Sequence, residues 1–295
     1  EVNRRPQNRQ VNSGAGVYLT KNRIFAPTFF RQRNPKNFVN IYILTYIPCR
    51  DMQMPVFCPC RPRLMNFLFI PGINNTTSSF DAVRVSLPDT CTALALDCPA
   101  VKDVDAIAKG LLALAPDRFV AVGHSFGGYV ALAMLAIAPH RLDGLVMANS
   151  NDWADSETQA ADREFKARQA EAGDYDQLAR AAGTRAYHPD NADRADLKAQ
   201  RDAAIAGYGA LRYAAHQRAS ARRPDRGQML KDSGKPVLVI TGDHDVVIPT
   251  ARQTEMARRL EAEQVIVEKS GHMLPVEQPE KLARALTGWA NGQQF

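Results

Sequence analysis

The segment VAVGHSFGGYVALAML spans residues 120–135. Its first residues form a short apolar run typical of a buried strand, and its last residues are Ala-rich and typical of a buried helix. Between them, Ser125 has a glycine two positions before it and another two positions after it. Small residues there let the backbone fold back on itself, and the sharp turn pushes the serine hydroxyl out of the sheet. The segment therefore predicts an exposed serine nucleophile between a buried strand and a buried helix.

Strand and helix patterns alternate on both sides of this segment. Continuous apolar runs predict strands at residues 64–70, 91–97, 118–124, 142–150, 235–242 and 263–270. Apolar residues at helical spacing predict helices between them, at residues 77–85, 101–114, 127–138, 250–261 and 280–290. Continuous apolar strands separated by helices are typical of a parallel sheet covered on both faces. We expect an α/β fold with a mostly parallel, doubly wound sheet.

One long segment interrupts this alternation. Residues 151–230 are rich in Ala, Arg and Asp and show helical patterns without any strand signal. We expect them to form a helical cap over the carboxyl ends of the strands, where open α/β sheets bind ligands. The catalytic core would then consist of residues 64–150 and 231–295. Residues 1–63 form a basic extension in which no helical or alternating period extends far, so no element is predicted there.

A serine hydroxyl is a poor nucleophile at neutral pH and needs a base to accept its proton. On a strand–turn–helix corner of this kind, the acid and then the histidine follow the serine along the chain. His272 closes the last predicted strand, and we expect it to accept the proton of Ser125. Asp245 closes the preceding strand and would hold the imidazole in the correct tautomer and stabilise the imidazolium.

Other acidic and imidazole groups lie close to these positions. Asp243 is the nearest alternative to Asp245, and Asp152, after the fourth predicted strand, is a more distant one. We expect His244 to be a structural loop residue and His124 to be buried beside the serine corner. Neither histidine is expected to act as the base.

Acyl transfer also needs donors for the oxyanion of the tetrahedral intermediate. We expect one donor to be the backbone N–H of Phe126, directly after the serine. The other would be the backbone N–H of Ile73, in the loop after the first strand of the body. Asn74 and Asn75 in the same loop are candidates for substrate binding, although these residue types are equally typical of turns and helix caps.

Four motifs make residues 64–290 resemble the α/β-hydrolase superfamily. They are FLFIPGINNTTSSF for the oxyanion loop, VGHSFGGYVAL for the serine corner, TGDHDVVIP for the acid loop and SGHMLPVEQPE for the histidine loop. The resemblance implies a Ser125–Asp245–His272 triad, and it favours Asp245 because the Gly-x-x-Asp-x-x-x-Pro pattern runs from Gly242 to Pro249. Pro71-Gly72 stands where most relatives have His-Gly, a departure found in compact carboxylesterase-like members. Relatives also usually carry one or two strands before the oxyanion strand.

Charge and cysteine content indicate which binding partners and which cellular compartment to expect. Residues 1–65 hold 11 Lys and Arg against 2 Asp and Glu, whereas the remainder holds 26 against 29. Because the body is mildly acidic, no nucleic-acid partner is expected. An apolar run of 18 residues is absent, so no membrane span is expected. The five cysteines form no regular disulfide or zinc pattern. Residues 31–47 imitate a signal peptide but lack a cleavage motif, so a cytoplasmic location is favoured.

These observations predict a serine esterase that cleaves a small-molecule ester, with no metal and no organic cofactor. In the helical segment, Tyr187, His188, Tyr213, His216 and Arg223 are candidates for substrate binding. Other reactions on the same scaffold stay open: thioester or C–C bond hydrolysis, acyl transfer, and cofactor-free haloperoxidase or lyase chemistry. A non-catalytic ligand-binding protein is a further alternative, since fold alone does not determine function.

Overall fold

The computed structural model describes residues 18–20, 23–30, 41–46, 65–183 and 185–293. The chain divides into two compact units, residues 1–60 and 61–295. In the first unit, strands β1 (Tyr18–Thr20), β2 (Arg23–Phe30) and β3 (Ile41–Tyr46) form an antiparallel sheet in the order β1-β2-β3. No element was assigned to residues 1–63 from the sequence, and three strands lie there. They are short, and prolines and basic residues interrupt any alternation between them.

The second unit contains a six-stranded parallel sheet. Its strands are β4 (Met65–Ile70), β5 (Cys91–Ala95), β6 (Phe119–His124), β7 (Leu142–Ala148), β8 (Val237–Gly242) and β9 (Glu263–Val267), in the order β5-β4-β6-β7-β8-β9. All neighbours pair in parallel, which confirms the predicted fold class. The chain leaves β4 on one side to form β5 and returns on the other side as β6. Open α/β sheets bind ligands at such a switch point, and Ser125 directly follows β6.

Helices cover both faces of this sheet. They are α1 (Asp81–Val85), α2 (Val104–Leu112), α3 (Phe126–Ile137), α9 (Thr250–Leu260), α10 (Leu274–Glu277) and α11 (Pro279–Asn291). Alternate residues of β4 point to opposite faces, as a pleated strand requires. Leu68 and Ile70 pack into the core that contains α2 and α3, whereas Phe67 and Phe69 pack into the core that contains α11. The uninterrupted apolar run of β4 thus reflects burial on both sides.

The described part of the segment between β7 and β8 contains helices and connecting loops but no strand. It contains α4 (Glu157–Gln169), α5 (Tyr175–Gly183), α6 (Ala195–Tyr208), α7 (Ala210–Arg222) and α8 (Gly227–Asp232), and a π-helical turn at Ala170–Asp174 joins α4 to α5. A capping box of Ser156 and Gln159 starts α4 by pairing two backbone N–H groups that the helix leaves without partners. Tyr175, Ile205 and Tyr213 form the centre of a separate apolar cluster among these helices.

None of the helices in the described ranges is both long and apolar enough to span a membrane.

Candidate active site

Ser125 occupies a strained corner between β6 and α3, with φ 52° and ψ −118°. Only close packing of glycines around it permits this turn. A Cβ atom on Gly127 would lie 2.0 Å from the carbonyl oxygen of Ile70, and one on Gly123 would lie 2.5 Å from the backbone of Gly128. The strain holds the hydroxyl of Ser125 out of the sheet, as strained residues at functional sites commonly do.

A continuous hydrogen-bonded chain links Ser125 to the two side chains predicted to act with it. Nε2 of His272 lies 2.9 Å from Oγ of Ser125. Nδ1 of the same ring lies 3.1 and 3.0 Å from the two carboxylate oxygens of Asp245. The structure therefore brings together, from three separate loops, a hydroxyl, an imidazole and a carboxylate at the distances that proton transfer requires.

Asp245 is held as an ionised acceptor. Its Oδ1 accepts hydrogen bonds from the backbone N–H groups of Val247 (2.9 Å) and Ile248 (3.0 Å), and its Oδ2 accepts one from Nε2 of Gln253 (3.0 Å). Burial alone would raise the pKa of Asp245. The positive charge and hydrogen bond of His272, together with the two backbone donors, outweigh burial, and its pKa lies below the ordinary value.

Asn149 ties the histidine loop to the sheet. Its Nδ2 donates to the carbonyl oxygens of Gly271 and His272, each at 2.8 Å, and its Oδ1 accepts from the backbone N–H of Gly242 at 2.9 Å. The residue is completely buried and adopts a φ of 45°. All three contacts are made by one amide side chain, so Asn149 fixes the position of His272 relative to β8.

The carboxylate of Glu277 fixes the other side of the same loop. Oε1 accepts from the backbone N–H of Gly271 at 2.9 Å, and Oε2 accepts from the backbone N–H of His188 at 2.8 Å and from Nδ2 of Asn191 at 2.9 Å. Burial raises the pKa of Glu277, and these donors oppose that effect only in part. Neither Glu277 nor Asn149 was predicted from the sequence, although Asn149 lies near the end of a predicted strand at the same edge as Ser125.

His124 is buried beside the serine corner, as predicted. Its side chain is inaccessible to solvent, and its Nε2 lies 2.7 Å from the carbonyl oxygen of His272. Burial is the main cause that lowers the pKa of His124 to about 3. A neutral ring that donates from Nε2 therefore supports the histidine loop from below.

The other candidate acids and bases do not reach His272. The carboxylate of Asp243 accepts hydrogen bonds from the backbone N–H groups of Lys269 and Ser270, at 3.0 and 3.1 Å. Asp152 pairs with Arg259 at 2.5 Å. His244 is exposed. Among the three acids considered, only Asp245 contacts the imidazole.

The predicted oxyanion loop lies directly beside the serine. A Cβ atom on Gly72 would be 3.1 Å from Cβ of Ser125, so a larger residue would crowd the serine. The loop continues through Ile73 to Asn74, which adopts a φ of 59°, and Asn75, whose Nδ2 donates to the carbonyl oxygen of Ile73 at 3.0 Å. Asn75 thereby holds the turn in shape, which is the structural role that sequence analysis left open for it.

Ser125 and His272 open onto a cavity of about 680 Å³ between the sheet edge and the helical segment. A volume of this size suits a small organic ligand. The predicted site residues that line this cavity are Ile73, Asn74, Asn75, Ser125, Phe126, Tyr187, Tyr213 and His272. In the part of the chain that the structure describes, no group of three His, Cys, Asp or Glu side chains is arranged to hold a metal ion.

Residues 67–285, well over half of the chain, match the model of the alpha/beta hydrolase family. The chain belongs to the alpha/beta hydrolase family. No curated protein matches the sequence.

Several solved structures share this hydrolase fold. A thermophilic esterase from Thermogutta terrifontis superposes with a TM-score of 0.70 at 23% identity, covering 77% of this chain and 90% of that one. The enol-lactonase from Burkholderia xenovorans superposes with a TM-score of 0.68 at 19% identity, covering 77% of this chain and 92% of that one. MenH from S. aureus superposes with a TM-score of 0.67 at 15% identity, covering 78% of this chain and 95% of that one. At these identities the likeness establishes the fold alone.

Three of the predicted substrate-binding residues of this hydrolase do not line the cavity: His188, His216 and Arg223. Nδ1 of His188 accepts from the backbone N–H of Asp190 at 3.1 Å, in the loop that Glu277 holds. His216 is completely buried, and its Nε2 donates to the carbonyl oxygen of Pro99 at 2.7 Å. Residues 213–220 of α7 are all buried, so helical periodicity does not show which of its faces meets the cavity.

Arg223 lies behind the cavity wall. Its Nη1 pairs with Oδ1 of Asp155 at 2.8 Å, its Nε donates to the carbonyl oxygen of Trp153 at 3.1 Å, and its guanidinium lies 3.9 Å from the ring centroid of Tyr129. Asp155, Trp153 and Tyr129 all line the cavity. Arg223 therefore supports wall residues and does not itself face the ligand space.

Proposed function

We propose that this chain is a serine hydrolase that cleaves small-molecule carboxylic esters through an acyl-enzyme intermediate. The observation that carries the proposal is the chain of hydrogen bonds from Oγ of Ser125 through His272 to Asp245, with distances of 2.9 to 3.1 Å. The serine stands at a positive φ on the edge of a cavity of ligand size. An activated serine in such a place suits acyl transfer to water.

In the proposed mechanism, Oγ of Ser125 attacks the ester carbonyl carbon while Nε2 of His272 accepts the hydroxyl proton. The C–O bond to the alcohol then breaks, and His272 gives that proton to the departing oxygen. Water then attacks the acyl carbon and loses a proton to His272. The bond between the acyl carbon and Oγ breaks, His272 returns the proton to Oγ, and the carboxylic acid leaves as Ser125 is restored. Asp245 stays ionised throughout and stabilises the imidazolium, in keeping with its lowered pKa.

We assign the oxyanion hole to the backbone N–H groups of Ile73 and Phe126. Both residues line the cavity next to Ser125, and Phe126 begins α3. Backbone N–H groups at a helix N-terminus carry a partial positive charge, so they favour the negative oxygen of the tetrahedral intermediate.

We further propose that residues 151–230 act as a cap, with residues 64–150 and 231–295 as the catalytic core. The cavity supports this division, because it is lined by Ser125 and His272 on one side and by residues of α4–α7 on the other. A helical cap excludes water from the acyl-enzyme and shapes the space for the substrate. The location that we favour for the protein is the cytoplasm.

Hydrolysis of a series of p-nitrophenyl esters, from acetyl to lauroyl, tests this function. It should be measured with and without a serine-directed phosphonate, and in the Ser125→Ala variant. We expect turnover that is greatest for short acyl chains and that falls by several orders of magnitude in Ser125→Ala, since losses of triad residues are of that size. Undiminished turnover in Ser125→Ala would refute the mechanism.

Phosphonate labelling separates the proposed esterase from the alternatives. Labelling of Ser125 with negligible ester turnover would keep the activated serine but favour another acyl substrate or another reaction on this scaffold. Absence of labelling would mean that the serine is inert, and a ligand-binding role would then be favoured.

A further inference from the structure

The cavity lining is strongly cationic, in contrast to the body of the protein. Five cationic side chains and two carboxylates line it: Arg163, Lys166, Arg185, Arg201, Arg252, Asp155 and Asp162. Residues 66–295 together carry fewer basic than acidic groups. A cleft lined by one sign of charge concentrates ligands of the opposite sign. The position of these charges, rather than their total number, therefore points to an anionic ligand.

Arg163 on α4 is the cation held most firmly in this wall. Its Nε pairs with Oδ2 of Asp155, and its Nη1 donates to Oε1 of Gln217 at 3.0 Å. Burial tends to lower the pKa of Arg163, but the nearby acidic groups, Asp155 among them, outweigh burial and raise it. The guanidinium is thus fixed and charged, and the Arg163 side chain, about a quarter of which is exposed, lines the cavity.

Asp155 cannot neutralise the charge around it, because it pairs with two arginines. Its Oδ2 contacts Arg163 and its Oδ1 contacts Arg223. The Asp155 side chain is only 3% exposed, and so it offers no further oxygen to solvent. One positive charge therefore remains uncompensated in this part of the wall.

A second guanidinium contacts the segment that contains Asp155. Arg252 on α9 lies over the ring of Trp153, with its Cζ atom 4.6 Å from the ring centroid. Arg252 makes no ion pair within the described part of the chain. Trp153 stands two residues before Asp155, and both line the cavity. Arg163 and Arg252 are therefore anchored to the same short segment, residues 153–155, on one wall.

We propose that the natural substrate carries a carboxylate remote from its scissile ester, and that Arg163 and Arg252 bind this carboxylate beside Trp153. The inference rests on the proposed esterase function and adds the substrate class. Guanidinium groups match the planar, two-oxygen geometry of a carboxylate, and charge-assisted hydrogen bonds are stronger than neutral ones. A neutral substrate would leave the surplus positive charge of this wall without a partner.

Matched pairs of esters test the proposal. One pair places the charge on the acyl side: the mono-p-nitrophenyl ester of adipic acid and its methyl-capped diester. The other places it on the alcohol side: 4-acetoxybenzoate and its methyl ester. The members of each pair differ only by the methyl cap. Because the electronic effect of the cap is the same for every variant, a change in the ratio of their kcat/KM values between wild type and an arginine variant measures recognition of the carboxylate. We expect a ratio of about ten or more in at least one pair, which falls as salt screens the charges.

Arg163→Gln and Arg252→Gln should each lower that ratio by about tenfold to a hundredfold, the range for loss of a hydrogen bond to a charged group. Arg168→Gln is the matched control, because Arg168 is an exposed residue of the same helix as Arg163 and does not line the cavity. Its ratio should stay that of the wild type. Since Arg252 is exposed and lies on a core helix, its variant provides the test even if Arg163→Gln fails to fold.

The outcomes separate this inference from the proposed function. Hydrolysis of the neutral esters with no preference for the anionic ones would overturn the carboxylate site and leave the esterase in place. A preference that survives both Arg163→Gln and Arg252→Gln would likewise overturn it. Failure to hydrolyse any of the four esters, together with an unlabelled Ser125, would instead remove the esterase function on which the inference rests.

Discussion

The imidazole of His216 stacks on the ring of Phe126, with the two centroids 4.5 Å apart and the planes 21° from parallel. His216 belongs to α7 of the helical segment, whereas Phe126 directly follows the candidate nucleophile. Nε2 of His216 donates to the carbonyl oxygen of Pro99, and its Nδ1 accepts from the hydroxyl of Tyr208. One neutral imidazole thus joins the helical segment to the first turn of α3 and to the loop after β5.

This buried imidazole should make stability depend on pH. Burial is the main cause that lowers the pKa of His216 to about 4. Between pH about 6.5 and about 4, the unfolded chain therefore binds a proton at this position that the folded chain does not. The free energy of unfolding should be fully retained above pH about 6.5 and should fall on acidification, by at most about 1.4 kcal/mol per pH unit for this histidine.

Urea unfolding of wild type and His216→Phe across that pH range measures the effect. Phenylalanine keeps an aromatic ring against Phe126 but does not titrate, so the pH slope should become shallower. His140→Gln, a change at an exposed histidine, is the control and should keep the wild-type slope. Equal slopes in wild type and His216→Phe would contradict the prediction.

The serine corner should tolerate no side chain at Gly127. Alanine there would place its Cβ atom 2.0 Å from the backbone oxygen of Ile70, and a backbone atom cannot rotate away. Gly127→Ala should lower the free energy of unfolding by about 3 kcal/mol or more, as severe overpacking does. Gly110→Ala is the matched control inside α2, where the new Cβ atom meets nothing within 4 Å. Its free energy of unfolding should rise by about 0.5 to 1 kcal/mol. A comparable fall in the free energy of unfolding of both variants would refute the packing argument.

The carboxylate that orients His272 should matter far more than its neighbour. Asp245→Asn places an amide where two backbone N–H groups and the imidazole need an acceptor. We expect kcat for ester hydrolysis to fall by about four orders of magnitude, as it does when such a carboxylate becomes an amide in other serine triads. Asp243→Asn should lower kcat by at most about tenfold, since the carboxylate of Asp243 accepts hydrogen bonds only from loop N–H groups. The larger loss in Asp243→Asn would reverse the assignment of the acid.

Glu277 should contribute to stability through the loop that carries His272. In Glu277→Gln, the new NH₂ group would face donors, namely the N–H of Gly271 on one side or the N–H of His188 and the amide of Asn191 on the other. We expect a loss of about 1 to 3 kcal/mol, the cost of buried donors left without acceptors. Glu268→Gln, at an exposed position, should change stability by less than about 0.5 kcal/mol. Thermal or urea unfolding of both variants provides the comparison.

The sequence predicted the sheet well because its strands are buried on both faces and therefore appear as uninterrupted apolar runs. Strand β6 and the corner at Ser125 are the clearest case, since the glycine spacing there has a steric cause that the structure displays. The strands of residues 18–46 escaped prediction because antiparallel strands of this length need a clear alternation, which prolines and basic residues interrupt here.

The candidate site was predicted in part for a related reason. Ser125, Asp245 and His272 lie at ends of predicted strands, and parallel strands bring their carboxyl ends to one edge. Asn149 and Glu277 act through hydrogen bonds to partners that lie far away along the chain or in other elements, which no local pattern encodes. His216 and Arg223 were assigned to the ligand space from residue type alone. Residues 213–220 of α7 are all buried, so helix periodicity could not distinguish its cavity face from its core face.

The hydrogen-bonded side chains of Ser125, His272 and Asp245 come from different stretches of the polypeptide than most of the cavity wall does. Three loops at the edge of the sheet carry Ser125, Asp245 and His272. Two further side chains hold the loop of His272, namely those of Asn149 and Glu277, and both also lie outside the helical segment. Residues 151–230, by contrast, supply four of the five cationic side chains of the cavity wall in one contiguous block, and Arg252 of α9 supplies the fifth. Natural or laboratory recombination that exchanges this block would thus replace most of the cavity wall, while the hydrogen-bonded arrangement of Ser125, His272 and Asp245 would be inherited unchanged.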